Sequence, residues 1–298
     1  MEALKISSAQ NPRIKELLAL QEKSRLRRER GLFVVEGRRE LERCLAAGFT
    51  AEAIFYCPAL CHTMLQVAVG SETQSVEPVG EAFLRQSATC STEMQAQIGQ
   101  AATCGADSPT IYEITEALYE KVAYRGGTEG VIAIIRERRM GLEELRLSEK
   151  PLIVVLESVE KPGNLGAVLR SADAAGADAV IICDPLTDLW NPNLIRASLG
   201  AAFSVQCVAV ESGEAIKWLK AKGITILTAQ LQDSVLYYDC DMTRPTAIVI
   251  GTESTGLSNE WREAADRHIR IPMLGMMDSL NASVSAAVLL FEALRQRR

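Results

Sequence analysis

Histidine is almost missing from this 298-residue chain, which carries only His62 and His268. A histidine-based triad and a multi-histidine metal centre therefore lack their main ingredient. Aromatic residues are scarce, and no apolar run reaches the roughly 18 residues that a membrane span needs. No membrane partner is expected. The opening residues, Met1-Glu-Ala-Leu-Lys-Ile-Ser-Ser, lack the apolar centre of a signal peptide, so a cytoplasmic location is expected. The cysteines, at positions 44, 57, 61, 90, 104, 183, 207 and 240, show no paired Cys-x-x-Cys spacing of the zinc-ribbon kind. Cys57, Cys61 and His62 come nearest to a ligand cluster, but Pro58-Ala-Leu opens an apolar helical pattern there and small buried thiols are the commoner state. No metal is expected. The chain has no Gly-Lys-Ser/Thr, and its C-terminal half has neither Gly-x-Gly-x-x-Gly nor Gly-x-Ser-x-Gly. Nucleoside triphosphate, dinucleotide and serine-hydrolase readings thereby lose their support. Nor does the net charge of −6 give the overall basic field of a typical nucleic-acid binder.

What is present is apolar and periodic. With 48% hydrophobic residues the chain can bury two cores, and two domains are expected. From Pro151 onward, short β-branched runs alternate with amphipathic helical patterns, as in crossover units that build a parallel sheet. Strands are predicted over Leu152–Leu156, Ala179–Cys183, Phe203–Ala209, Ile224–Ala229, Thr246–Ile250 and His268–Ile271. Helices are predicted over Leu165–Ala175, Asn191–Leu199, Ser212–Lys222, Asn259–Ala265 and Ala282–Gln296, with Gly176, Gly200 and Gly223 as stops. Polar segments follow three strands, at 157–170, 251–256 and 272–281. In open parallel sheets that is where ligands bind.

The N-terminal region begins a second α/β pattern: a basic helix over Arg13–Arg30, a strand Leu32–Val35, a helix Arg38–Ala47, a strand Ala51–Tyr56, a helix Ala59–Val67 and a later strand Gly130–Ile135. Asn11 and Pro12 suit the cap and first position of the basic helix. Of its seven cations, Lys23, Arg25, Arg27, Arg28 and Arg30 lie together. Such a run is either a solvated face or a phosphate-contacting one. Residues 87–109 read as an insertion rich in Ala, Ser, Thr and Gln, and the charge-dense stretch 141–150 as a linker. The domains are then 1–140 and 151–298.

Three segments carry a resemblance. Glu157-Ser-Val-Glu-Lys-Pro-Gly-Asn164-Leu-Gly-Ala-Val-Leu-Arg170-Ser-Ala, Ile248-Val-Ile-Gly251-Thr-Glu253-Ser-Thr-Gly256-Leu-Ser and Ile271-Pro-Met-Leu-Gly-Met-Met-Asp-Ser279-Leu-Asn281-Ala-Ser283-Val resemble, in order and spacing, the motifs of the SpoU (TrmH-like) RNA ribose 2′-O-methyltransferases of the SPOUT superfamily. The resemblance covers 151–298 and implies an α/β fold: a C-terminal parallel-sheet methyltransferase domain with a trefoil knot. A smaller N-terminal α/β/α RNA-binding domain would precede it, with Phe33-Val-Val-Glu36-Gly37 as the best local match. Thr128-Glu129 stands where members often carry His-Gln.

It further implies S-adenosylmethionine as cofactor, S-adenosylhomocysteine as product and a homodimer. The implied RNA substrate is 23S rRNA, with tRNA, or a non-catalytic role in ribosome assembly, as alternatives. The implied catalytic residues are Arg170, Asn164, Glu253 and Asn281. A guanidinium is a poor base, so Arg170 reads as a stabiliser of the developing alkoxide; the competing reading pairs it with Asp173. Asn164 and Asn281 orient loops and ribose, or cap helices. Glu253 bonds loop amides, pairs with Arg170 or faces the sulfonium. Cofactor contacts fall to Thr228, Gly251, Ile271, Met273 and Leu280, though Met273, Leu274, Met276 and Met277 read equally as core. Ser279 and Ser283 buttress the loop, and Ser283 joins Arg25, Arg27 and Arg28 as candidate RNA contacts.

Overall fold

The computed structural model describes residues 3–61, 109–124, 129–253 and 255–298, and the chain divides into two compact units, Met1–Arg138 and Arg139–Arg298. In the first, strands β1 (Leu4–Ile6), β2 (Leu32–Glu36), β3 (Ala51–Tyr56), β4 (Thr110–Ile114) and β5 (Val131–Arg136) form a mixed sheet in the order β1-β4-β3-β5-β2. The helix Pro12–Glu22 buries Ile14, Leu17 and Leu20 against it. Asn11 caps that helix through Arg13 N at 2.9 Å, with Pro12 following, as the sequence indicates.

Several expectations need correction. The basic segment is two helices, Pro12–Glu22 and Ser24–Arg30, broken at Lys23, whose backbone is extended. The break has a cause: Arg27 turns inward and donates to Leu20 O at 2.5 Å and Gln21 O at 3.0 Å, satisfying carbonyls that end the first helix. The sequence reading did not include strands β1 and β4 or the helix Glu116–Val122. The expected helix from Ala59 and the insertion up to residue 108 lie largely outside the described residues, as do His62 and Thr128. Residues 141–150, expected as linker, instead bring Leu142, Leu145 and Leu147 into the core of the second unit.

In the second unit, β6 (Leu152–Glu157), β7 (Ala179–Cys183), β8 (Gln206–Val210), β9 (Thr225–Ala229), β10 (Val235–Leu236), β11 (Thr246–Ile250) and β12 (Arg267–Arg270) make one sheet in the order β10-β12-β9-β11-β6-β7-β8. All its pairings are parallel. Parallel sheets are covered on both faces, so their strands read as continuous apolar runs. β6 illustrates this: Val154 and Leu156 face one core with the helices Pro162–Ala175 and Ala282–Arg297, while Ile153 and Val155 face the other with Ser212–Ala221 and Asn259–Ala264.

Two further differences lie near residue 200. Phe203 was expected to open a strand, yet Ala201–Ser204 is a helical turn and β8 starts at Gln206. Ser198 Oγ accepts from Ala202 N at 3.2 Å and Phe203 stacks on Trp190, so packing decides a run that periodicity leaves ambiguous. Leu199, not Gly200, takes the left-handed cap position of the helix Pro192–Ser198. The last helix is pinned at its end by Arg297, which donates to Met242 O, Lys150 O, Pro151 O and Arg244 O.

Candidate active site

β6 and β11 are neighbours, but β6 leads into a helix on one face of the sheet and β11 into a helix on the other. Connections that part in this way open a crevice beyond the carboxyl ends of the strands, the usual ligand position in such sheets. Residues that enter it come from the first turns of Pro162–Ala175, from the loop after β11 and from the entry to the last helix.

The loop after β11 is tightly folded. Thr252 and Gly256 exchange backbone hydrogen bonds at 3.3 and 3.1 Å, and Gly256 sits at φ +69°. A Cβ on Gly251 would lie 2.3 Å from Gly256 O, so only glycine allows the chain to fold back here. Buried Glu157, at the end of β6, accepts from Ser258 N at 2.8 Å and ties the far side of the loop to the central strand. This conformation presents Glu253.

Glu253 is the hub of the site. Its Oε1 accepts from Asn164 Nδ2 at 2.9 Å, Asn281 Nδ2 at 2.6 Å and Ala282 N at 3.4 Å, and its Oε2 accepts from Lys161 Nζ at 2.7 Å. Asn281 also donates to Asn164 Oδ1 at 3.1 Å, closing a triangle of side chains from three separated segments. Lys161, with Asn164 and the Ala282 amide behind it, holds the Glu253 carboxyl below the usual carboxylate range. The direction follows from donors that favour the charged form.

Three of the four expected catalytic residues therefore meet. Asn164 lies inside its helix rather than capping it, whereas Asn281 is both cap and site residue: its Oδ1 accepts from Ser283 N at 3.0 Å. Ser283 Oγ donates to the same atom at 2.6 Å, which commits it to buttressing, and Ser279 Oγ turns to Asp278. Arg170 does not join the cluster. It is exposed six residues beyond Asn164, about 9 Å along the helix axis, and pairs neither with Glu253 nor with Asp173, which accepts from Ser204 Oγ. Lys161 is the member that sequence reasoning missed, although it stands inside the first motif, next to the helix-opening Pro162.

Of the residues expected to contact a cofactor, Gly251 is buried, Ile271 and Met273 are half-buried and Leu280 is exposed. Leu274, Met276 and Met277 are exposed rather than core. Thr228 is fully buried, with Oγ1 2.6 Å from His268 Nδ1 and its strand paired to β11 on one side and β12 on the other, so it presents no open surface to a ligand. Gln230, bonded through its N to Ile269 O beside this loop, has a buried Oε1 with no hydrogen-bond partner. Such an acceptor suits a ligand that brings a hydroxyl or amine. Of the candidate RNA contacts in the first unit, Arg25 is exposed and paired with Glu29 at 2.6 Å, Arg28 is exposed, and Arg27 is only 3% exposed, so Arg27 is a structural residue.

A doubly covered parallel sheet with a carboxylate and two amides at its topological switch point defines an α/β protein with a built ligand crevice. Residues 151–291 match the SpoU rRNA methylase family, and residues 11–133 match an MRM3-like substrate binding domain. The tRNA (guanosine(18)-2′-O)-methyltransferase of Thermus thermophilus is 43% identical over 163 residues, covering 54% of this chain and 83% of that enzyme. The 23S rRNA (uridine(2479)-2′-O)-methyltransferase of Streptomyces viridochromogenes is 36% identical over 173 residues, 56% of this chain, and this alignment spans 60% of that relative's length. The crystal structure of an AdoMet-bound rRNA methyltransferase from Sinorhizobium meliloti superposes with a TM-score of 0.79 at 26% identity over 98% of both chains. The chain belongs to the SpoU rRNA methylase family.

Proposed function

We propose that the chain is an S-adenosylmethionine-dependent RNA ribose 2′-O-methyltransferase acting on 23S rRNA, as a homodimer in the cytoplasm, with its last segment threaded as a trefoil knot. The observation that carries the reading is the joining of Asn164, Glu253 and Asn281 at the switch point of the sheet. The substrate reading is supported by the rRNA methyltransferase structure, which superposes over 98% of the chain, and by the 23S rRNA relative. The domain assignment proposed is an RNA-binding first unit and a methyltransferase second unit.

When bound, S-adenosylmethionine supplies an electrophilic methyl group on a sulfonium. Gly251, Ile271, Met273, Leu280 and Gln230 are the residues proposed to hold it. Asn164 and Asn281 fix Glu253 and orient the ribose. Arg170, exposed on the same helix, is a fixed positive charge for the oxygen that loses its proton and for a neighbouring phosphate. Its exposure, away from the Glu253 cluster, supports a place on the RNA side.

The test is transfer of labelled methyl from S-adenosylmethionine to separated, undermodified rRNA and tRNA, followed by nuclease mapping of the labelled ribose. Label in 23S rRNA is expected, with Arg170→Ala lowering kcat by orders of magnitude and leaving cofactor affinity within a few-fold. Label in tRNA overturns the substrate. No label on any RNA or assembly intermediate, with cofactor bound, favours a non-catalytic RNA binder.

A further inference from the structure

The two oxygens of Glu253 are held unequally. Oε1 accepts from three neutral donors: two short amide side chains, one of them fixed as a helix cap, and a backbone N–H. Oε2 accepts from Lys161 Nζ, the end of a long side chain that is 67% exposed. An exposed ion pair of this kind contributes little, because water and salt screen it. Exchanging it for another anion in the same crevice therefore costs little, and an RNA backbone brings one negative charge per phosphate. Among the described residues, Glu253 is the side chain with which Lys161 forms its ion pair.

We propose that Lys161 is a substrate-sensing positioning residue, holding Glu253 in the RNA-free state and passing to an RNA phosphate when the target ribose enters, so that Oε2 becomes open to a hydrogen bond from the ribose. This deepens the methyltransferase reading and rests on it. The chemistry that Lys161 recognises is the phosphodiester beside the modified nucleotide. Lysine suits the task better than arginine, since a single rotatable ammonium changes partners without breaking a two-point fork.

The groups facing Glu253 make the exchange readable by pH. Lys161 is the charged group in contact with it, the other donors are neutral, and Glu160 acts on Lys161 by favouring its charged form. The Lys161 contact is the first cause of the lowered Glu253 pKa. A carboxyl so lowered stays ionised as pH falls and is lost only when pH passes below its shifted value. Removing the lysine moves that loss to higher pH.

The experiment compares wild type, Lys161→Met and Lys161→Arg on the same undermodified rRNA, with S-adenosylhomocysteine affinity measured by calorimetry. Lys161→Met is expected to keep cofactor affinity within twofold, to lower kcat/KM about 10- to 100-fold, to reduce the log–log salt slope by about 0.7–0.9, and to shift the acidic limb of the pH profile upward. Lys161→Arg is expected to restore the salt slope and most of the rate. An unchanged salt slope with unchanged kcat/KM overturns the proposal, and so does a parallel loss of cofactor affinity, which would make Lys161 part of the cofactor wall. Absence of methylation by wild type would instead overturn the parent reading.

Discussion

At the scale of single residues, glycines in the motifs do different work despite equal visibility in the sequence. Gly251 is enclosed by the returning backbone of Gly256 and Leu257, with 2.3 and 2.7 Å to an added Cβ, whereas an added Cβ on Gly163 meets nothing within 4 Å. Backbone cannot yield as a flexible side chain can. Gly251→Ala is therefore expected to displace the loop that carries Glu253, costing about 1–3 kcal/mol of stability and, at a misplacement near 1 Å, about 100-fold in kcat/KM. Gly163→Ala, in the first turn of a helix, is expected to be neutral or to stabilise by up to about 1 kcal/mol. Thermal unfolding of the pair, with methylation rates for Gly251→Ala, decides the point: equal melting temperatures would refute the close-approach argument.

At the scale of elements, the sequence was most readable where burial is complete and least where a tertiary contact overrides local pattern. β7 and β11 fall on their predicted residues because an apolar run between turn signals suits a strand of a doubly covered sheet, and β3 likewise falls on its predicted residues. Asn164, Glu253 and Asn281 were likewise legible as polar residues at strand ends, but their mutual bonding and the place of Lys161 depend on three-dimensional closure. The basic segment misled because charge was taken to mean exposure. Arg27 there seals the end of one helix against the next, and its loss leaves the Leu20 and Gln21 carbonyls without that donor. Arg27→Ala is expected to destabilise the protein by about 1–3 kcal/mol, against less than about 0.5 for the exposed Arg25→Ala. Urea unfolding measures both, and equal midpoints would return Arg27 to the surface. Reversal of Arg25 and Arg28 together, which leaves that seal intact, is the cleaner probe of RNA contact.

At the scale of the whole molecule, the last helix presents a problem that one copy of the chain leaves open. Its inner side is covered, with Ala286, Leu289, Leu290 and Ala293 buried, yet Val284 and Phe291 on the same helix are 47% and 48% exposed. They are seven residues apart, hence on one stripe. The loop before the helix adds Leu274 and Met276, both wholly exposed. Burying a side chain of this size stabilises by about 1.5–3 kcal/mol, so covering the Val284 and Phe291 stripe favours association. A two-fold pairing sets the same stripe against itself and closes without leaving a further edge. Sedimentation equilibrium at micromolar concentration is expected to return twice the 32.5 kDa chain mass. Val284→Glu with Phe291→Glu, both on the solvent side of a helix whose inner face is untouched, is expected to yield folded monomers with unchanged far-UV circular dichroism. If the wild type sediments at the single-chain mass, the stripe serves something other than a second copy, and the homodimer is wrong; if the double variant stays dimeric, the contact lies on another face.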